Sequence, residues 1–228
     1  MVKAELWKLS KNPSNYFIVL SPFIIFFFIM LSDYEQSNLS IIYILGTFYF
    51  IFFTNSSISR DFISGVYENI RNSPIQYKEY IFGKFSATAI YSLILFFETE
   101  IFIFITYYKQ TEATNNNILY MIIDFISKYS VCLLFISMTI LLSILIRNRF
   151  SIVFVIASFL LGSGLNVVPF EFVKFFPFYM MDFSTLLFDG SVNKSLIFLL
   201  GIKNIVYIIV FLFIGNILLK QNIGFGSE

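Results

Sequence analysis

Residues 118–146 read ILYMIIDFISKYSVCLLFISMTILLSILI, and Asp124 and Lys128 are the only charges among them. A helix needs about 20 predominantly apolar residues to cross a hydrocarbon core. This run is long enough to do so. It is too long for a membrane-barrel strand, and it lacks the strict apolar/polar alternation of one. Working outward, five further runs meet the same description: residues 16–32, 41–57, 85–108, 150–168 (ending at Pro169) and 196–219. The sequence therefore predicts an all-α integral membrane protein, a single six-span domain over residues 1–228.

Composition supports this reading. Of the 228 residues 58% are apolar and only 13% are charged, the latter about half the usual share in soluble domains. Mean hydropathy is +0.82. A soluble domain of this length cannot hide so much apolar surface, so lipid must cover part of it. A net charge of +1 offers no electrostatic footprint for a polyanion, which argues against a nucleic-acid partner.

The flanking charges set the orientation. With the first residues inside, the cytoplasmic side holds Lys3, Lys8, Lys11, Arg60, Arg71, Lys78, Lys84, Arg147, Arg149 and Lys220, against Lys109, Lys174, Lys194 and Lys203 outside. Lys and Arg in short loops concentrate on the cytoplasmic face. Both termini are expected in the cytoplasm, in a multi-pass plasma-membrane protein. No cleavable signal peptide is expected, because the first apolar run follows a charged lead and has no small-residue cleavage site.

Several chemistries are excluded. The chain has no His, which removes Ser-His-Asp and Cys-His catalysis and imidazole-bound zinc. The lone Cys132 sits among apolar neighbours and reads as a packing residue. No metal site is expected. Gly83-Lys84 lacks the upstream glycine and following hydroxyl of a phosphate-binding loop, so no ATP site of that kind lies in this chain.

Two segments outside the spans are patterned. Residues 1–11 place Val2, Leu6 and Leu9 on one helical face with Trp7 beside them, and Lys3, Glu5, Lys8 and Lys11 elsewhere; Asn12-Pro13 ends the helix. Such a helix can lie flat at an interface. The cytoplasmic loop over residues 59–79 places Phe62, Val66 and Ile70 at helical spacing before Asn72-Ser73-Pro74. A short helix of this kind suits docking of a soluble partner. The plain alternative is a solvated loop. Residues 169–195 are too apolar for a free loop, with Phe170, Phe172, Val173, Phe175 and Phe176, and are expected to re-enter or lie at the outer interface.

The run Ser59-Arg60-Asp61-Phe62-Ile63-Ser64-Gly65-Val66-Tyr67-Glu68, then Ser73-Pro74 and Gly83-Lys84, resembles the segment after the second span of ABC-2-type permeases, the membrane subunits of type 2 ABC exporters. Asp61, Gly65, Glu68, Ser73-Pro74 and Lys84 match that pattern. Glu5-Leu6-Trp7-Lys8 resembles the family's interfacial elbow helix, here residues 1–12. Residues 217–224 resemble its exit from the sixth span, except that Asn222 stands where an acidic residue is usual.

The resemblance implies a permease subunit paired with a second, identical or related, permease subunit. Each would seat a coupling helix (Gly65, Val66, Tyr67, Glu68, Asn69, Ile70, Arg71, with Asp61 leading into it) on an ATP-binding subunit, expected in two copies. ATP and Mg would be bound by that partner, with no cofactor on this chain. The elbow would comprise Glu5, Trp7 and Lys8. Within the family the chain is similar to small permeases that export, or give immunity to, membrane-active peptides, including those exporting phenol-soluble modulins. An amphipathic peptide is thus the expected cargo.

Ionisable groups within spans are costly and mark function by default. Glu98 and Glu100 lie mid-span and point about 200° apart, so they do not both face one cavity squarely. Asp124 and Lys128, four apart, can pair across one turn; Lys128 can instead meet Glu98 or Glu100. An ion-pair staple and a polar wall along an export path both fit. A partner-independent channel or ion-coupled carrier using these carboxylates is the alternative function; a membrane enzyme or scaffold is more remote.

Overall fold

The computed structural model describes residues 2–11, 20, 40–66, 77–110, 115–147, 150–165, 175–176 and 194–221. Every extended element among them is a helix: α1 (Val2–Lys11), α2 (Ser40–Ile63), α3 (Tyr77–Gln110), α4 (Asn115–Ile146), α5 (Ser151–Leu165) and α6 (Lys194–Gln221). Stretches within α3 (Tyr77–Ile105), α4 (Phe125–Ile146) and α6 (Gly201–Gln221) are long and apolar enough to span a membrane, and α5 contributes a shorter apolar stretch, Ser151–Leu161. The architecture is consistent with an all-α membrane protein. Six spans were expected; three meet the length and hydropathy required among the described residues. The expected first span, 16–32, lies outside those residues apart from Leu20.

Helix is what lipid demands, since no water is present to satisfy backbone groups. The hydroxyls inside these apolar helices follow the same rule: Thr47, Thr88, Thr99 and Thr139 each donate to the carbonyl four residues back, at 2.7–3.0 Å.

The fourth helix forms the centre of the bundle. Helix α4 packs against α2, α3, α5 and α6, and 56% of its spanning stretch is buried, against 33% for α3 and α6. Its buried Cys132, Ile136, Ile140 and Ile144 join Tyr43, Phe50 and Ile58 of α2, Ile81, Leu95 and Phe96 of α3, and Leu212 and Leu219 of α6. Cys132 is a fully buried packing residue. Gly46 lets α2 approach α3: a Cβ there would stand 2.8 Å from Leu95 Cδ2 and 3.2 Å from Phe96 Cε1.

Outward faces are apolar. On α6, Ile205, Ile209 and Phe213 recur at one-turn spacing and are all more than half exposed, and Ile90, Ile94, Phe97 and Ile101 form a similarly spaced exposed row along α3. These stripes are where lipid, or another membrane helix, covers the chain.

One boundary differs from expectation. The second span was expected to end near Ser57, giving way to a loop. Instead α2 continues to Ile63, and Gly65, at φ +70°, stops it in the left-handed conformation that glycine adopts without strain. Ser64 N–H donates to Arg60 O at 2.9 Å and Gly65 N–H to Phe62 O at 3.3 Å. Phe62 therefore belongs to the last turn of α2, and not to a separate docking helix. Likewise the stretch from Tyr77 through Phe82 is the first turn and a half of α3, with Tyr80 and Ile81 buried.

Candidate functional site

The polar side chains just outside the expected second span converge on one lysine. Ser57 and Asp61 are one turn apart on α2, and Tyr80 and Lys84 one turn apart on α3, so each pair shares a helix face. The two faces meet, and α1 closes over them. Lys84 Nζ lies 2.7 Å from Asp61 Oδ2 and 3.0 Å from Glu5 Oε2, and donates to Ser57 Oγ at 2.6 Å. An ammonium has three N–H donors, and all three are used, on acceptors from two helices. Tyr80 Oη donates to Asp61 Oδ2 at 2.9 Å, and the ammonium stands 5.6 Å from the Tyr80 ring centroid.

The cluster is buried: Lys84 is 3% exposed, Glu5 6% and Asp61 8%. Two carboxylates against one ammonium in a dry setting are tolerated because both pair with it and Asp61 also accepts from Tyr80. Asp61, expected to lead into a docking helix, thus points inward onto Lys84.

The lead helix exists as expected, with Lys3 and Lys11 exposed and Val2 and Leu6 half-buried, but two residues depart from the expected faces. Glu5 was expected on the wet side and is buried on Lys84, whereas Trp7 is 62% exposed, with the Lys11 ammonium 5.2 Å from its ring centroid. The attraction of a buried cation draws Glu5 inward. The side chain of Lys8 lies outside the described residues.

Beside the cluster opens a cleft of about 500 Å³, lined by Glu5, Trp7, Lys11, Phe53, Ser56, Ser57, Arg60 and Asp61. A second polar node sits close by on α2. Asn55 Oδ1 accepts from Ser143 Oγ of α4 at 2.8 Å, from Ser59 Oγ at 3.4 Å, and from Ser151 Oγ of α5. All four residues are buried. The node pins the turn between α4 and α5, where Arg147 adopts φ +55° and its guanidinium lies over the Phe62 ring, 5.5 Å from the centroid. No protein-family model and no curated protein matches the chain.

Further along α3 and α4 lie the ionisable groups expected mid-span. Glu100 is buried and Glu98 half-buried, and Glu98 Oε2 is itself buried without a hydrogen-bond partner among the described residues. Lys128 places its ammonium 4.6 Å from the Tyr43 ring centroid. The side chain of Asp124 lies outside the described residues, so the expected Asp124–Lys128 pair does too. On α6, Lys203 Nζ donates to Phe176 O at 3.1 Å, Tyr207 Oη to Phe175 O at 3.1 Å, and Asn204 Nδ2 to Ser130 Oγ at 3.0 Å. The 169–195 segment is described only at 175–176 and 194–195. At Phe175 and Phe176 it meets the first half of α6 through these backbone carbonyls.

Of the docking residues, Gly65 and Val66 are described and Tyr67, Glu68, Asn69, Ile70 and Arg71 lie outside the described residues. Sequence reasoning found Glu5, Asp61 and Lys84 separately and did not join them. The signal that would have joined them is a lysine two turns into an apolar helix, which needs carboxylates once it is buried, and Glu5 and Asp61 are among the acidic residues near it in sequence.

Proposed function

We propose that the chain is the membrane permease subunit of an ATP-driven ABC exporter in a bacterial plasma membrane, with six spans and both termini in the cytoplasm. The observation that carries this reading is the Glu5–Lys84–Asp61 cluster. It joins the lead helix to the end of α2 and the start of α3, flanking the segment that leaves α2 at Gly65. A force applied to that segment by a nucleotide-hydrolysing partner would therefore reach α1, α2 and α3 together. Residues 65–71 act as the coupling helix, residues 1–12 as the elbow, and residues 169–195 as the outer cap.

A second copy or related permease covers part of the exposed apolar stripes, and two ATP-binding subunits supply ATP and Mg. The cargo is an amphipathic, membrane-active peptide, exported for secretion or self-protection. Glu98 or Glu100 lines the path and attracts cationic groups on it, and the unmatched oxygen of Glu98 supports that role. That same oxygen is what favours the second reading, a carrier that works without a partner.

Purification of the full chain from its own membrane separates the two. The exporter reading predicts a stoichiometric ATPase that is lost when residues 65–71 are replaced by Gly and Ser. Transport by the purified chain alone, with no ATPase retained, would establish the carrier and overturn the exporter.

A further inference from the structure

The cleft beside the ion cluster has a use that coupling does not require. Its two carboxylates, Glu5 and Asp61, share the one Lys84 ammonium; with Lys11 and Arg60 on the rim the charge around the cleft is +1, and its exposed part is cationic. Both rim side chains are exposed, and Arg60 makes no ion pair among the described residues. Between them stand Trp7, which is mostly exposed, and Phe53.

The cleft's place in the fold says what reaches it. It lies where α2 ends and α3 begins, beneath a short helix whose tryptophan faces outward. The same end of the bundle exposes Ile63 and Phe150, each at 69%, a collar of apolar groups at the height where helices end. Amphipathic aromatics and snorkelling cations at that height mark the headgroup layer.

We propose that this cleft binds the headgroup of an anionic glycerophospholipid from the leaflet on the α1 side. Lys11 and Arg60 hold the phosphate, and Trp7 and Phe53 contact the glycerol and upper acyl chain. The bound lipid fills the wedge between α1 and α2 and steadies the lead helix on the bundle. This inference needs only the membrane setting, and it stands or falls independently of any ATPase partner.

Trp7 is the only tryptophan in the chain, which places a fluorescent reporter on the site. The full chain is reconstituted in nanodiscs holding a small fraction of phosphatidylglycerol or phosphatidylcholine with brominated acyl chains, and quenching of Trp7 is measured. We expect phosphatidylglycerol to quench at about five- to tenfold lower mole fraction than phosphatidylcholine, the preference that one or two cations at a lipid surface supply. Lys11→Gln and Arg60→Gln should each reduce that preference about threefold, and the double variant should abolish it while elution and circular dichroism stay unchanged. Glycerol phosphate in solution should not compete. Equal quenching by the two lipids, an unaltered preference in the double variant, or competition by free glycerol phosphate would each overturn the proposal.

Discussion

Lys84 and Glu98 lie on the same helix, fourteen residues apart, and have been treated in opposite ways. Lys84 has every donor matched, by Glu5, Asp61 and Ser57, and is all but removed from solvent. Glu98 retains a buried oxygen with no hydrogen-bond partner among the described residues. A fully matched buried ion holds helices in register; an incompletely matched one is kept at a cost to stability, and transport chemistry is the usual reason. The contrast separates a part that must not move from a part that must meet something else.

The contrast is broken most forcefully at Lys84. Lys84→Met leaves two buried carboxylates with no cation, and we expect a loss of about 3–5 kcal/mol. In a thermal melt of the detergent-solubilised chain the variant should unfold well below the parent or fail to elute as a single species. A melt like the parent's would mean that the cluster is not a clasp.

Next in size is Asn55→Ala, which deprives three hydroxyls of a shared acceptor. Each bond between membrane helices is weak, about 0.6 kcal/mol on average, so the expected loss is about 1–2 kcal/mol, read in the same melt. Gly46→Ala is milder still. Its Cβ meets the flexible end of Leu95, which can shift, and stands 3.2 Å from the Phe96 ring; we expect about 1 kcal/mol, the low end of what overpacking costs. A larger loss would show that α2 and α3 are more rigidly seated than their side chains imply.

Glu98→Gln should be the gentlest on the fold, within about 0.5 kcal/mol of the parent, while the proposed exporter reading predicts that ATP-driven export falls at least about tenfold. Normal export by this variant would remove Glu98 from the path and leave its unmatched oxygen without a function.

Much of the helix pattern was legible in the sequence, because length and hydropathy determine it. The fourth run, expected at 118–146, is a helix over Asn115–Ile146, and the sixth, expected at 196–219, is one over Lys194–Gln221. The end of α2 was misjudged because Ser56, Ser57, Arg60 and Asp61 resemble a loop when counted for polarity. Two of them, Ser57 and Asp61, contact Lys84 from another helix, and no periodicity on α2 reports that. Glu5 was placed on the wrong face for the same reason. The Asn55–Ser143–Ser151 node was not foreseen, since single hydroxyls scattered in apolar runs carry no pattern until the helices are brought together.

The most direct test of the clasp compares Lys84→Met with the triple variant Glu5→Gln, Asp61→Asn, Lys84→Met in one thermal-unfolding series. If Lys84 serves to balance two buried carboxylates, neutralising all three should recover more than half of the stability lost in the single variant, because no uncompensated charge remains. A triple variant no more stable than Lys84→Met alone would contradict this, and would assign the lysine's role to packing.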